Sequence, residues 1–161
     1  MKYRSLLVAV AMLASQSASA TDPEFMDFII NNAHQRGYTQ CDAAINDAFA
    51  NVGGQDIRVI TYGGLHSDAM KIAAVFGSSG DAVFIEAEFR RAGSQCTFTR
   101  TSTVLSSKSC AAEMMEYSEH FKYEAETAGV TFTKNAGGVN RLLLPVNPQG
   151  CVSIYLRDGK A

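Results

Sequence analysis

The sequence predicts an α+β domain: an N-terminal helical hairpin, an antiparallel β-meander, one long amphipathic helix and a C-terminal β-hairpin, stapled by two disulfides. Three observations carry that expectation. Apolar residues recur at helical spacing near the N-terminus, the pattern changes to alternation from about residue 56, and four cysteines lie far apart at positions 41, 96, 110 and 151. Helices and strands do not alternate throughout, so a parallel α/β sheet is excluded.

A leader precedes the domain. Lys2 and Arg4 form a positive n-region, Leu6 to Ala14 form an apolar h-region, and Ala18-Ser19-Ala20 is the small-residue pattern of signal-peptidase cleavage. The apolar core falls well short of the roughly 20 residues that span a bilayer. Residues 1–20 are therefore predicted to be a signal peptide, and residues 21–161 a single exported domain in the periplasm or outside the cell. The 161-residue precursor carries 14 basic and 16 acidic residues, a formal charge of -2. Loss of Lys2 and Arg4 takes it to -4. Arg90-Arg91 is the one tight basic cluster, so nucleic acid is not an expected partner. No helix has the basic polar face of a membrane binder, and no stable membrane insertion is expected.

Asp22 is a helix cap with Pro23 at the first position, Phe25, Phe28, Ile29 and Ala33 share one face, and Gly37 is the stop. A second helix is expected from Thr39, with Cys41, Ala44, Ile45, Ala48 and Phe49 at helical spacing, as far as Gly53-Gly54. Strands follow at Ile57 to Tyr62, Met70 to Phe76, Val83 to Phe89 and Cys96 to Leu105, with Ser78-Ser79-Gly80-Asp81 and Ala92-Gly93-Ser94-Gln95 as turns. Ser109 to Ala128 reads as the long amphipathic helix. Met114, Tyr117, Phe121, Ala125 and Ala128 cluster on one side, five glutamates occupy the rest, and Gly129 is the terminator. Val130 to Thr133, Val139 to Val146 and Cys151 to Arg157 complete the strands, and no repeat is visible.

Cys41, Cys96, Cys110 and Cys151 form an even set in an exported chain, which reads as two disulfides. Cys96–Cys110 is disfavoured because an extended strand separates the two, and the other two connectivities remain open. With no C-x-x-C pair and three scattered histidines, neither a metal nor a cofactor is expected.

Catalytic signatures are missing: no phosphate loop, no dinucleotide fingerprint, no H-E-x-x-H and no G-x-S-x-G elbow. Glu86 and Glu88 share a strand face, where Arg90 and Arg100 are expected to neutralise them. The residues singled out for partner binding are Glu116, Glu119 and His120 on the acidic helix, Gly63, Gly64 and His66 in one glycine-rich turn, and Gly137 and Gly138 in another. On a helix, Glu116 and Glu124 would flank His120 at four-residue spacing. The expected function is that of a non-enzymatic protein-binding domain. It would be an inhibitor or immunity protein that occludes the active site of a toxin or cell-wall hydrolase, with a homodimer also compatible. The alternatives are a small periplasmic hydrolase with His66, Asp68 or His120 as base, and an accessory subunit of an envelope complex that pairs through a sheet edge.

Overall fold

The computed structural model describes residues 22–50, 52, 57–64, 67–146 and 149–161. The proposed leader, Gly53-Gly54, His66 and the first two residues of the Asn147-Pro148-Gln149-Gly150 turn lie outside them. Three helices, α1 (Pro23–Gln35), α2 (Asp42–Ala48) and α3 (Cys110–Glu116), accompany eight strands. The strands are β1 (Arg58–Gly63), β2 (Ala69–Ser78), β3 (Asp81–Ala92), β4 (Gln95–Ser106), β5 (Phe121–Thr127), β6 (Val130–Asn135), β7 (Asn140–Val146) and β8 (Gly150–Lys160). All eight belong to one antiparallel sheet in the order β1-β2-β3-β4-β8-β7-β6-β5.

This architecture corrects the α+β expectation. The described residues are mostly antiparallel sheet, and the helices among them are three short pieces. The predicted long helix breaks after two turns: the Ser109 hydroxyl accepts from the Ala112 N–H at 3.3 Å, but the helix ends at Glu116. Phe121 to Thr127 then pairs with β6 as a strand. Gly129, expected to stop a helix, instead sits in a two-residue hairpin turn. Ala128 and Gly129 have φ of 53° and 78°, the paired positive values of a type I′ turn, and Thr127 faces Val130 across it. Phe121 and Ala125, four residues apart, fit the helical spacing, and hydrogen bonding to a neighbouring strand, with a bulge between Tyr123 and Ala125, overrode it.

The helical hairpin is also reduced. Asp22 caps α1 by accepting from the Glu24 N–H at 3.0 Å, as its sequence signal indicates. The second helix, however, starts at Asp42 rather than Thr39, with Cys41 at its N-cap supplying no side-chain cap, and stops at Ala48. His34 Nε2 and Asp42 Oδ1, 2.7 Å apart, join the end of one helix to the start of the other. The pair forms a compact cap over β2, β3 and β4. Phe25, Phe49, Phe89 and Phe98 connect the cap to the sheet, with successive ring centroids 5.9, 6.4 and 6.1 Å apart. Around them Ile29, Tyr38, Ile45, Met70, Ile72 and Ile85 are buried in the main core.

Disulfides join Cys41 to Cys96 and Cys110 to Cys151. Each ties the N-terminal end of a helix to the second residue of a fourth strand, β4 or β8. The chain is thus a structural repeat: helical segment then four-stranded meander, twice. Thr101 and Leu156 lie at equal distances beyond Cys96 and Cys151 and are register partners, so an approximate two-fold axis passes between them. The disulfides close segments of 55 and 41 residues. Chain entropy assigns each a stabilisation of about 4 kcal/mol. Replacing Cys41 and Cys96 together by alanine is expected to lower unfolding free energy by about 2–5 kcal/mol in urea titrations. No loss would show that the cap is held by its aromatic packing alone.

Candidate functional site

Strand parity divides the sheet into two unlike faces. One face carries all three helices and both disulfides. The other is free of helix among the described residues, and its side chains form rows set by the register. One row runs Val75, Phe84, Thr103, Ile154, Leu142 and Phe132 across six adjacent strands. At about 4.8 Å per strand it is roughly 24 Å wide. Val75 is 45% exposed and Phe84 40%, and on flanking rows Ile60 is 65% and Leu156 39% exposed. Leu105, Phe132 and Val146 are exposed on the same face. An apolar surface this continuous is unusual outside an interaction site.

The same face turns polar towards one end of the strands. Tyr62 donates a short hydrogen bond to Glu86, and Lys71 lies 3.2 Å from Glu86 and 3.4 Å from Glu88. Glu88 also pairs with Arg90. The Tyr62 hydroxyl, and secondarily Lys71, hold the Glu86 carboxyl below its ordinary value against the opposing effect of burial. Arg100 does not join this cluster. Its register partner is Ala87, which faces the helices, so the expected neutralisation of Glu86 and Glu88 by Arg100 does not occur.

The residues singled out from sequence are not gathered into one site. Gly63 ends β1 and Gly64 follows it, and there Arg36 Nη1 donates to the Gly63 carbonyl at 2.7 Å. Gly137 and Gly138 form the β6–β7 turn, five strand steps from β1 and therefore about 24 Å away. Glu119 and His120 lie in the exposed turn after α3, beside that second turn, since Phe121 is the register partner of Asn135. Glu116 is held by Lys108 at 2.6 Å. Because Glu124 is in a strand, the helical Glu116–His120–Glu124 ladder does not exist. Asp68 is exposed. Among the described residues, no group of three or more His, Cys, Asp or Glu side chains could hold a metal ion.

The helix-bearing face holds two features that the sequence did not disclose. Arg141 is 1% exposed, and its Nη2 donates to Glu113 Oε2 at 2.8 Å and to Ser153 Oγ at 3.0 Å. The rings of Tyr117, Tyr155 and Phe121 surround the guanidinium at 4.8, 5.2 and 5.7 Å. Burial raises the Tyr155 phenol above its usual value. The second feature is a cleft of about 630 Å³ between the α1–α2 cap and α3, floored by β3, β4 and β8. Arg100 and Arg157 face each other across its floor. Asp47 holds Arg157 through both carboxylate oxygens at 2.8 Å.

Comparison of the chain with known protein families, curated proteins and solved structures finds no match. The molecule's own chemistry therefore carries the functional reading.

Two expected outcomes test these arrangements. Arg141→Met strands the Glu113 carboxylate in the interior and should cost about 3–5 kcal/mol in urea unfolding, while adding Glu113→Leu should restore much of the loss. An additive double variant would show that the pair is not coupled. The second concerns acid stability. A carboxyl with a lowered folded-state pKa stabilises the fold above its unfolded pKa, and that contribution disappears as pH falls through the folded value. Tyr62→Phe removes the main cause and should cost about 0.5–1 kcal/mol at neutral pH, a modest figure because the pair is solvent-screened. The deficit should vanish in strong acid, and an equal deficit at every pH would refute the linkage.

Proposed function

We propose that this chain is an exported, non-enzymatic binding protein that docks another protein on the helix-free face of its sheet. The coarse compartment follows from covalent chemistry: two disulfides indicate an oxidising extracellular or periplasmic environment. The Lys2–Ala20 leader supplies the route of export in this reading.

The carrying observation is the apolar row from Val75 through Phe84 and Ile154 to Phe132, flanked by Ile60, Leu105 and Leu156. It offers an apolar centre with a rim of mixed charge at Lys71, Glu86, Glu88 and Arg90, the usual anatomy of a protein interface. Inhibition of a toxin or cell-wall hydrolase is the specific form of the proposal. A broad sheet would block such an enzyme by covering the rim of its active site. Insertion of an acidic helix is not the mechanism, since the glutamates assigned to that helix are dispersed: Glu113 is buried with Arg141 and Glu116 is engaged by Lys108.

Site-specific photocrosslinking provides the test. A benzophenone amino acid at Phe84 or Leu156 should give one discrete adduct in the native cell envelope, whereas the same probe at Phe28 on α1 should give none. Adducts from Phe28 alone would overturn the proposal, as would the absence of any adduct from the sheet. An adduct of twice the chain's mass would identify the partner as a second copy and remove the inhibitor reading. With a distinct partner in hand, Phe84→Asp with Leu156→Asp should abolish both the complex and any inhibition of that partner while leaving the thermal midpoint within a few degrees, because both side chains lie outside the core.

A further inference from the structure

The cleft between the two helical caps lies on the sheet face opposite the proposed docking surface, and its charges do not balance locally. Arg157 is matched by Asp47, Lys108 by Glu116 and Glu113 by Arg141. Arg100 is left over: its Nε donates to Ser102 Oγ at 2.8 Å, and no carboxylate lies within ion-pair distance of it among the described residues. The remaining acid of the lining, Asp81, is six residues along β3 from Ala87, the register partner of Arg100, which is roughly 20 Å. With Nε occupied, the two terminal nitrogens of Arg100 form the free edge, the geometry that grips a carboxylate through two parallel hydrogen bonds.

Beyond Arg100 and Ser102 the floor carries an apolar patch, bounded at its far end by Asp81, Ser106 and Lys108. Val104 lies four residues along β4, about 14 Å away, beside Val83 of β3, and Val52 and Phe76 contribute to the wall. Burial, and then the adjacent Arg157, push the Arg100 guanidinium below its ordinary pKa; Asp47, whose two oxygens are both bonded to Arg157, opposes the shift without reversing it. A volume of about 630 Å³ is within the range of small-molecule sites.

We infer that this cleft binds an amphipathic monocarboxylate, a medium-chain fatty acid in its simplest form, with the carboxylate on Arg100 and the aliphatic tail along Val104 and Val83. An esterified acyl chain lacks the carboxylate and is not the ligand. Because the site and the docking surface are on opposite faces, either proposal can fail without the other.

The test is calorimetric titration of the disulfide-bonded protein with decanoate below its micelle concentration. Saturable one-to-one binding is expected, at least tenfold weaker for decanol, which keeps the tail and loses the charge, and undetectable for acetate, which keeps only the head. Arg100→Gln should weaken decanoate at least tenfold while leaving decanol unchanged. Val104→Asp should abolish binding by placing a charge in the path of the tail, and as a half-buried surface change it keeps the question open if Arg100→Gln fails to fold. Absence of saturable decanoate binding would overturn the inference. So would equal affinity for decanol, or undiminished binding by a folded Arg100→Gln protein.

Discussion

The antiparallel ladder between β4 and β8 holds the molecule together. It runs from Thr97 opposite Lys160 to Ser106 opposite Cys151, and it is the seam at which two four-stranded meanders become one sheet. Without it each meander would have an additional unpaired edge and a helical cap too small to bury it. The register of this ladder has a second consequence. Because Cys96 and Cys151 occupy equivalent positions on antiparallel neighbours, both disulfides direct α2 and α3 to the same face, and α1 follows through its packing on α2 and the His34–Asp42 contact. Among the described residues the opposite face carries no helix for that reason.

The two halves share an architecture and fill it differently. In the first, thirteen-residue α1 and seven-residue α2 bury a conventional core of phenylalanine, isoleucine and methionine. In the second, α3 alone is available, and seven residues cannot exclude water from a whole meander. Arg141 occupies the space instead, its charge satisfied by Glu113 and its planar faces covered by three aromatic rings. Such a pair contributes little net stability compared with an apolar filling, because desolvating both charges offsets their attraction. It does fix orientation: α3 must sit with Glu113 over Arg141, and the cleft beside it inherits a defined wall.

The first meander was legible in the sequence because its strands alternate and its turns carry glycine. Its Thr97, Thr99, Thr101 and Thr103 ladder was legible too, and that parity already put Arg100 on the face of Cys96 and Phe98. The neutralisation of Glu86 by Arg100 conflicted with it and failed. The edge strand β5 was not legible. Phe121 to Thr127 is marked as a strand by pairing with β6, a long-range fact, while its local glutamate-rich composition favours helix. Disulfide pairing could be narrowed by excluding Cys96–Cys110, but choosing between the remaining patterns required the repeat, which is conserved in topology and almost absent from the residues. Arg141 gave no signal at all, since a lone arginine between Asn140 and Leu142 looks like any exposed strand residue. Of the residues proposed for partner binding, the glycines mark turns at distant places on the sheet, which local composition reveals without revealing their separation.

One signal for the apolar face was present and is instructive. Leu142, Leu143 and Leu144 break the alternation that a half-exposed strand requires, because consecutive leucines point to both faces. Val152 and Ile154 do the same from the neighbouring strand, next to buried Cys151 and Ser153. Central strands that are apolar on both sides belong to sheets covered on both sides, and the described helices all lie on one, two of them tied there by disulfides. Substituting polar residues on the open face would cost the fold little, as the Thr97–Thr103 ladder on that face shows a tolerance for hydroxyls. The presence of valine, isoleucine, leucine and phenylalanine there is therefore not explained by folding, and it is the physical ground on which the proposed protein partner rests.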